Sequence, residues 1–213
     1  MDIIYQAFDS LLGVIFKLTG DWGITIILLT LVIRILLLPL SIKQKIALEK
    51  QQETFKKIEE VKLKLKNQKE KMEQEISQLM QEGSKNFLGC LLTLLQLPVL
   101  YSLYQVFSRV PIEATSMIIP WLTSLKAPDP YFVIPALTVL VQLLPNILAV
   151  VGFLKEFPKA SWSQMAIMSL LGALFFIKAP AAVGIYWIAS GIFGVLEQIG
   201  YFMFKRKSLL MAN

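Results

Sequence analysis

The sequence predicts an all-α, polytopic membrane protein with five transmembrane helices, an N-terminal amphipathic helix at the membrane interface and a cytosolic helical hairpin. Of its 213 residues, 55% are hydrophobic and 17% are charged, and the mean hydropathy is +0.61, which is unusual for a soluble globular domain. Apolar stretches of roughly 20 residues, long enough for a helix to cross the hydrocarbon core, recur along the chain. The Lys and Arg residues gather at the ends of these stretches, as they do at the cytosolic ends of membrane spans.

Residue types that the chain lacks exclude several functions. The chain has no His, and Cys90 is its one Cys, so the sequence offers neither a Cys/His metal site nor a disulfide within the chain. No nucleophile–base pair can be proposed without His, and no GxxxxGK motif indicates nucleotide hydrolysis. We therefore predict that the protein is not an enzyme and uses no metal or cofactor. The net charge of +6 is concentrated at membrane edges, which argues against DNA as a partner.

The alternation of apolar and charged stretches predicts the order of the segments. In order, these are an external amphipathic segment (1–21), the first span (22–42), the cytosolic hairpin (43–86), the second span (87–108), an external loop (109–130), the third span (131–154), a cytosolic link (155–161), the fourth span (162–178), the fifth span (179–204) and a basic cytosolic tail (205–213). The first segment is amphipathic because its apolar residues recur at helical spacing up to Gly20. The fourth span is short for a full crossing.

The hairpin differs sharply in composition from the spans around it. It holds eleven Lys against eight Glu, with no Pro and no Gly before Gly83. Two apolar seams follow helical spacing, one of Ile58, Val61 and Leu65 and the other of Met72, Ile76 and Leu79. We expect two helices joined by a turn around residues 66–68, with Glu60–Lys64 among the stabilising pairs one turn apart.

The distribution of basic residues predicts the topology. If the hairpin is cytosolic, its side of the membrane carries 16 Lys and Arg residues, and the other side carries four. Five spans then place the N-terminus outside and the C-terminus in the cytosol.

Arg34 is a charged residue within the otherwise apolar first span, roughly 12 Å of helix rise from the end at Ile42. An unpaired cation at such a depth costs about 2.5–3.5 kcal/mol on insertion scales. Snorkelling to the nearer surface is awkward because helical side chains lean toward the N-terminus, away from Ile42. A structural ion pair with another span remains open. We favour a cation that lines a water-filled cavity, since Thr30 extends the polar stripe one turn away.

Other polar residues also fall inside predicted spans: Gln96, Gln142, Asn146, Tyr186 and Glu197. Each by itself could simply hydrogen-bond to a neighbouring helix. Together with an Arg they favour a hydrated cavity inside the bundle. Glu197 lies about as deep in its span as Arg34 does, so a pair between the two is an alternative that the sequence leaves open.

An ordered set of short motifs resembles the YidC/Oxa/Alb family of membrane protein insertases. In order, these are Trp22-Gly23, Leu29-Thr30, Arg34, Pro39-Leu40, Lys43-Gln44, Gly89-Cys90, Gln96-Leu97-Pro98, Asp129-Pro130-Tyr131, Pro135, Gly184 and Tyr186-Trp187. The resemblance covers nearly the whole chain, and the lack of a large external domain is similar to the short form of Gram-positive bacteria.

The resemblance implies that the protein inserts client transmembrane segments into the bacterial cell membrane and helps them fold, without nucleotide hydrolysis. In that family, an arginine matching Arg34 lies in a hydrophilic groove and attracts acidic residues of the segment being translocated. The residues matching Thr30 and Tyr186 are implicated in client contact or groove integrity, and Trp187 belongs to the same motif. The implied partners are nascent membrane proteins with acidic translocated tails, membrane lipid and, through the basic hairpin and tail, the ribosome and the Sec translocon.

Two other classes of function remain as alternatives. A secondary transporter or channel would usually carry several carboxylates near the midplane or paired repeats of broken helices, and here Glu197 is the one such carboxylate. A membrane-anchored scaffold would act through the hairpin alone and would not need Arg34.

Overall fold

The computed structural model describes residues 2–66, 68–84, 114–151 and 162–211, and most of them are helical. The helices are α1 (Asp2–Thr19), α2 (Trp22–Lys64), α3 (Lys69–Ser84), α4 (Val133–Val150), α5 (Trp162–Lys178) and α6 (Ala181–Met211). The chain divides into two compact units, one formed by residues 1–36 and 101–213 and the other by residues 37–100. The prediction of an all-α protein is confirmed for the described residues.

Three of the helices are long and apolar enough to cross a membrane: α2, α4 and the Ala181–Phe204 part of α6. They overlap the predicted first, third and fifth spans, whose bounds stay predictions. The apolar helix Met165–Lys178 lies in the predicted fourth span and is shorter, as the sequence indicated. The predicted second span, 87–108, lies outside the described residues. The number of five spans therefore stays a prediction.

Helix α2 is one continuous element of 43 residues that includes Pro39. At 1.5 Å per residue it is about 65 Å long, roughly twice the thickness of the hydrocarbon core. Its first half is apolar and its second half is rich in Lys and Glu, so the change of composition that begins at Lys43 falls within a helix. Only the first half has the composition of a membrane span.

The second compact unit contains the charged half of α2 and the helix α3. Helix α2 ends at Lys64 and α3 begins at Lys69, on either side of the predicted turn. Lys64 Nζ lies 3.8 Å from Glu60 Oε2, which is the expected pair one turn apart. Both side chains are largely exposed, so their contact contributes little to stability. The packing of the two arms into a hairpin remains a prediction.

Helix α4 packs against both α5 and α6. Two glycines of α6, Gly184 and Gly191, face the branched side chains of Ile134 and Val141 in α4. Each pair of residues is seven apart in its helix, so the two contacts lie two turns apart along one seam. The missing side chains let the branched residues approach the α6 backbone closely. This seam fixes α6 against α4.

Replacing Gly184 by Ala should weaken this seam. The new Cβ would clash with Cγ2 of Ile134, a β-branched residue with restricted rotamers. We expect a loss of about 1–3 kcal/mol, typical of overpacking, seen as a lower melting temperature in detergent. Gly194→Ala is the matched control, because a Cβ there meets nothing within 4 Å. Equal melting temperatures for the two variants would contradict the close approach.

The segment of residues 114–132, called the loop segment below, is bonded to the first turns of α2, α4 and α6. Asp21 accepts hydrogen bonds from the Ser116 hydroxyl (2.8 Å) and from the Met117 amide (2.6 Å). The amides of Ala181 and Ala182 donate to the carbonyls of Ala127 and Leu125, at 2.9 and 3.0 Å. Asp129 links the segment to α4, since its Oδ2 accepts from the Ile134 amide at 2.7 Å.

Asp21 also caps the N-terminus of α2, because its Oδ1 accepts from the Ile24 amide at 2.8 Å. Burial alone raises the pKa of the Asp21 carboxyl, but the hydrogen bonds from backbone amides and Ser116 outweigh burial and lower its pKa below the ordinary value. The folded protein therefore binds this proton less readily than the unfolded chain does. Asp21 contributes stability above its unfolded pKa of about 3.9, and that contribution is lost as the pH falls through the folded pKa.

Comparing the wild type with Asp21→Asn should reveal how the stability contribution of Asp21 depends on pH. Near pH 6 the variant should be about 0.5–2 kcal/mol less stable, because Asn can still cap α2 through its one oxygen but lacks the charge and the second acceptor oxygen that binds the Met117 amide. The difference in melting temperature should begin to shrink as the pH falls below about 5 and should go on shrinking through the folded pKa, because the unfolded chain takes up this proton before the folded protein does. A difference that stays constant over this range would show that the charge of Asp21 has no role in stability.

Candidate intramembrane polar site

Arg34 makes a defined contact with the last helix. It lies in the apolar half of α2 and is half-buried. Its Nε donates a hydrogen bond to Ser190 Oγ at 2.7 Å, and its Nη2 donates to the same oxygen. Ser190 is in α6 and is 4% exposed. The hydrogen bonds recorded for the guanidinium in the described part of the chain thus go to a neutral hydroxyl.

A neutral partner leaves the charge of Arg34 uncompensated by this contact. The Ser190 hydroxyl satisfies two N–H groups of the guanidinium, which carries five. A carboxylate partner would instead cancel the charge and reduce the attraction for any other anion. The contact therefore satisfies part of the hydrogen-bonding capacity of the guanidinium without neutralising its charge.

Helical periodicity places several polar residues of α6 on one face. Tyr186 and Ser190 are one turn apart, and Glu197 follows Ser190 by seven residues, or two turns. Tyr186 is 4% exposed and Glu197 is half-buried. Glu197 takes part in an interaction of its own, so it is not a free carboxylate.

Thr30 is fully buried, and its hydroxyl donates to the Ile26 carbonyl at 2.6 Å. Its polar group is thus used within α2 itself. Trp187 is half-buried and its ring lies 5.5 Å from the Phe176 ring of α5. The Tyr186 and Trp187 rings are 6.5 Å apart. These residues fill the space between helices, which fits support of the site better than direct exposure to a client.

Helix α4 carries the remaining described polar residues, Gln142 and Asn146, one turn apart. Gln142 is exposed, and its amide oxygen lies beside Gly172 of α5. Asn146 is half-buried. Gln96 lies outside the described residues.

The structure thus joins Arg34 to a residue that the sequence reasoning missed. Ser190 was not among the predicted site residues, although it is polar and one turn from Tyr186 in an apolar helix. The spacing of one helical turn between Tyr186 and Ser190 is the sequence signal that could have identified Ser190. The roles predicted for the other residues stay predictions.

The described part of the chain is helical, with three helices long and apolar enough to cross a membrane and an arginine that joins two of them. The family model described as 60Kd inner membrane protein matches residues 14–208. A membrane protein insertase YidC of Caldanaerobacter subterraneus subsp. tengcongensis is 34% identical over 98% of both chains. Proteins of the same name from Aquifex aeolicus and Helicobacter pylori are 31% and 32% identical over 92% and 89% of this chain. The chain covers 38% and 34% of those two longer relatives. The chain belongs to the YidC/Oxa/Alb family.

Proposed function

We propose that this protein inserts client transmembrane segments into the bacterial cell membrane and assists their folding. The relatives are named membrane protein insertases, and the chain matches one of them over almost its full length. The observation on this chain that carries the proposal is Arg34, a half-buried cation in an apolar helix that contacts a neutral hydroxyl. A cation in an apolar helix is costly unless it has a use.

Insertion needs no nucleotide in this proposal. Transfer of the client's apolar segment into lipid supplies free energy, near 25 cal/mol per Å² of apolar surface. The barrier is the passage of the client's polar tail through the hydrocarbon. A hydrophilic groove that brings water and one cation partway into the membrane shortens the dry path for that tail. Arg34 then attracts tails that carry Asp or Glu.

The polar side chains of α4 support a wet or client-facing surface. Gln142 is exposed, and an amide exposed to hydrocarbon is costly because its hydrogen bonds go unmade. Asn146 lies one turn further along the same face. We assign Gln142 and Asn146 to the groove wall, and Thr30, Tyr186 and Trp187 to its support. Gln96 and Glu197 belong to the same groove in this proposal.

The remaining parts of the proposal concern topology and partners. The N-terminus is outside, the C-terminus is cytosolic, and five spans cross the membrane. The basic hairpin and tail face the cytosol, where they meet the ribosome, the Sec translocon or anionic lipid.

Site-specific photocrosslinking to a stalled nascent membrane protein tests the function. A photoreactive residue at Gln142 should crosslink to the apolar segment of the client. Leu140 is the matched control, because it is 53% exposed and lies two residues away, on nearly the opposite side of the same helix. A crosslinking yield at Leu140 equal to that at Gln142 would indicate only nonspecific contact in lipid and would contradict the proposed surface.

A further inference from the structure

The contact between Arg34 and Ser190 uses one particular edge of the guanidinium. A guanidinium has two edges that can each offer a pair of parallel N–H groups, one formed by Nε and Nη2 and the other by Nη1 and Nη2. Ser190 Oγ accepts from both Nε and Nη2. The first edge is therefore occupied, whereas no hydrogen bond joins Nη1 on the second edge to another of the described residues.

Ser190 is well placed to hold the guanidinium in this orientation. Its side chain is short and 4% exposed, so its oxygen has little freedom to move. It lies between Gly184 and Gly191, whose close packing against Ile134 and Val141 fixes this stretch of α6 on α4. Without the hydroxyl, the long Arg side chain would sample several rotamers.

We propose that Ser190 is a positioning residue that makes Arg34 present its Nη1–Nη2 edge to a client. This inference rests on the proposed insertase function and names the chemistry that the site recognises. Two parallel N–H groups match the two oxygens of a carboxylate, whereas a hydroxyl or an amide oxygen offers one acceptor atom. The oriented edge therefore favours Asp and Glu side chains of the client tail over neutral polar side chains.

The test compares two clients in proteoliposomes of one lipid composition, identical except for Asp or Asn at one position of the translocated tail. Ser190→Ala should lower insertion of the Asp client about 3- to 10-fold, the effect of losing one ordered hydrogen bond, and leave the Asn client unchanged. The loss should appear as a higher client concentration at half-maximal insertion, with the maximal rate retained. Ser169→Ala, which removes a hydroxyl from α5, is the control and should alter neither client.

A second variant separates positioning from stability. Ser190→Thr keeps the hydroxyl and should retain the preference for the Asp client even if the added methyl group lowers the melting temperature. An equal loss of both clients in Ser190→Ala would mean that Ser190 is structural and would overturn the inference. Loss of the Asp preference in Arg34→Ala but not in Ser190→Ala would overturn it while the proposed function stands. Equal insertion of both clients by the wild type would overturn this inference and the proposed role of Arg34, whereas insertion of neither client would contradict the proposed function itself.

Discussion

Replacing Arg34 by Ala should reduce insertion of a client with an acidic translocated tail by about tenfold or more. Two unit charges 4 Å apart attract each other by about 4 kcal/mol at an effective dielectric near 20. Desolvation removes part of this energy, and a net loss of about 1.4 kcal/mol already gives a tenfold effect. Protection of the translocated tail from added protease in proteoliposomes measures the insertion.

Two comparisons show whether the charge is responsible. Arg34→Lys keeps the positive charge and should recover the larger part of the insertion, although a Lys lacks the paired N–H groups of Arg. A client with Asn in place of Asp in its tail should insert equally well with wild type and Arg34→Ala. Equal insertion of the acidic client by these two proteins would show that Arg34 serves another purpose.

Insertion and flux measurements together distinguish the alternative functions. A scaffold that acts through the second unit should tolerate Arg34→Ala and lose activity when residues 51–81 are deleted. A transporter or channel should show substrate-dependent flux in liposomes that contain no client. The insertase requires Arg34 and shows no such flux. Each alternative therefore has an outcome that the proposed function does not share.

The sequence predicted the features that depend on local composition. Hydropathy identified the apolar half of α2, the helix α4 and the Ala181–Phe204 part of α6, because a membrane span must be apolar along its length. Arg34 was recognisable as special because a charge within such a stretch is costly. The expected break between α2 and α3 agrees with their observed ends, since the apolar seams shift there. Each of these signals can be read from a single short stretch of the sequence.

Ser190 could not be assigned from such a stretch. It is a small residue between Ala189 and Gly191, and its partner Arg34 lies 156 residues away. Periodicity shows which residues share a face of one helix but not which helix that face meets. Thr30 shows the same limitation, because its position suggested a lining residue while its hydroxyl is used by the Ile26 carbonyl within α2. Contacts between distant segments depend on packing.

The buried carboxylate of Asp129 should be the most sensitive position of the loop segment. It is 3% exposed. Its Oδ1 accepts from the Trp121 indole (3.2 Å) and the Tyr131 amide (3.0 Å), and its Oδ2 accepts from the Ile134 amide. Asp129→Ala leaves these three donors without that acceptor, and each buried donor left unpaired costs about 1–3 kcal/mol. We expect a total loss of about 2–4 kcal/mol, because only the Ile134 bond is buried and water can partly replace the acceptor at the exposed Trp121 and Tyr131.

Melting temperature and the rate of tryptic cleavage after Lys126 measure this loss, since Lys126 is half-buried within the loop segment. Asp129→Asn retains one carbonyl oxygen and should lose about half as much stability as Asp129→Ala. Asp9→Ala, at an exposed position of α1, should change neither quantity. If Asp129→Ala melted like the wild type and was cleaved no faster, the bonds to Asp129 would not be what holds the loop segment on α4. The segment would then depend on Asp21 and on the backbone bonds to α6, and Asp21→Asn should become the more damaging of the two changes.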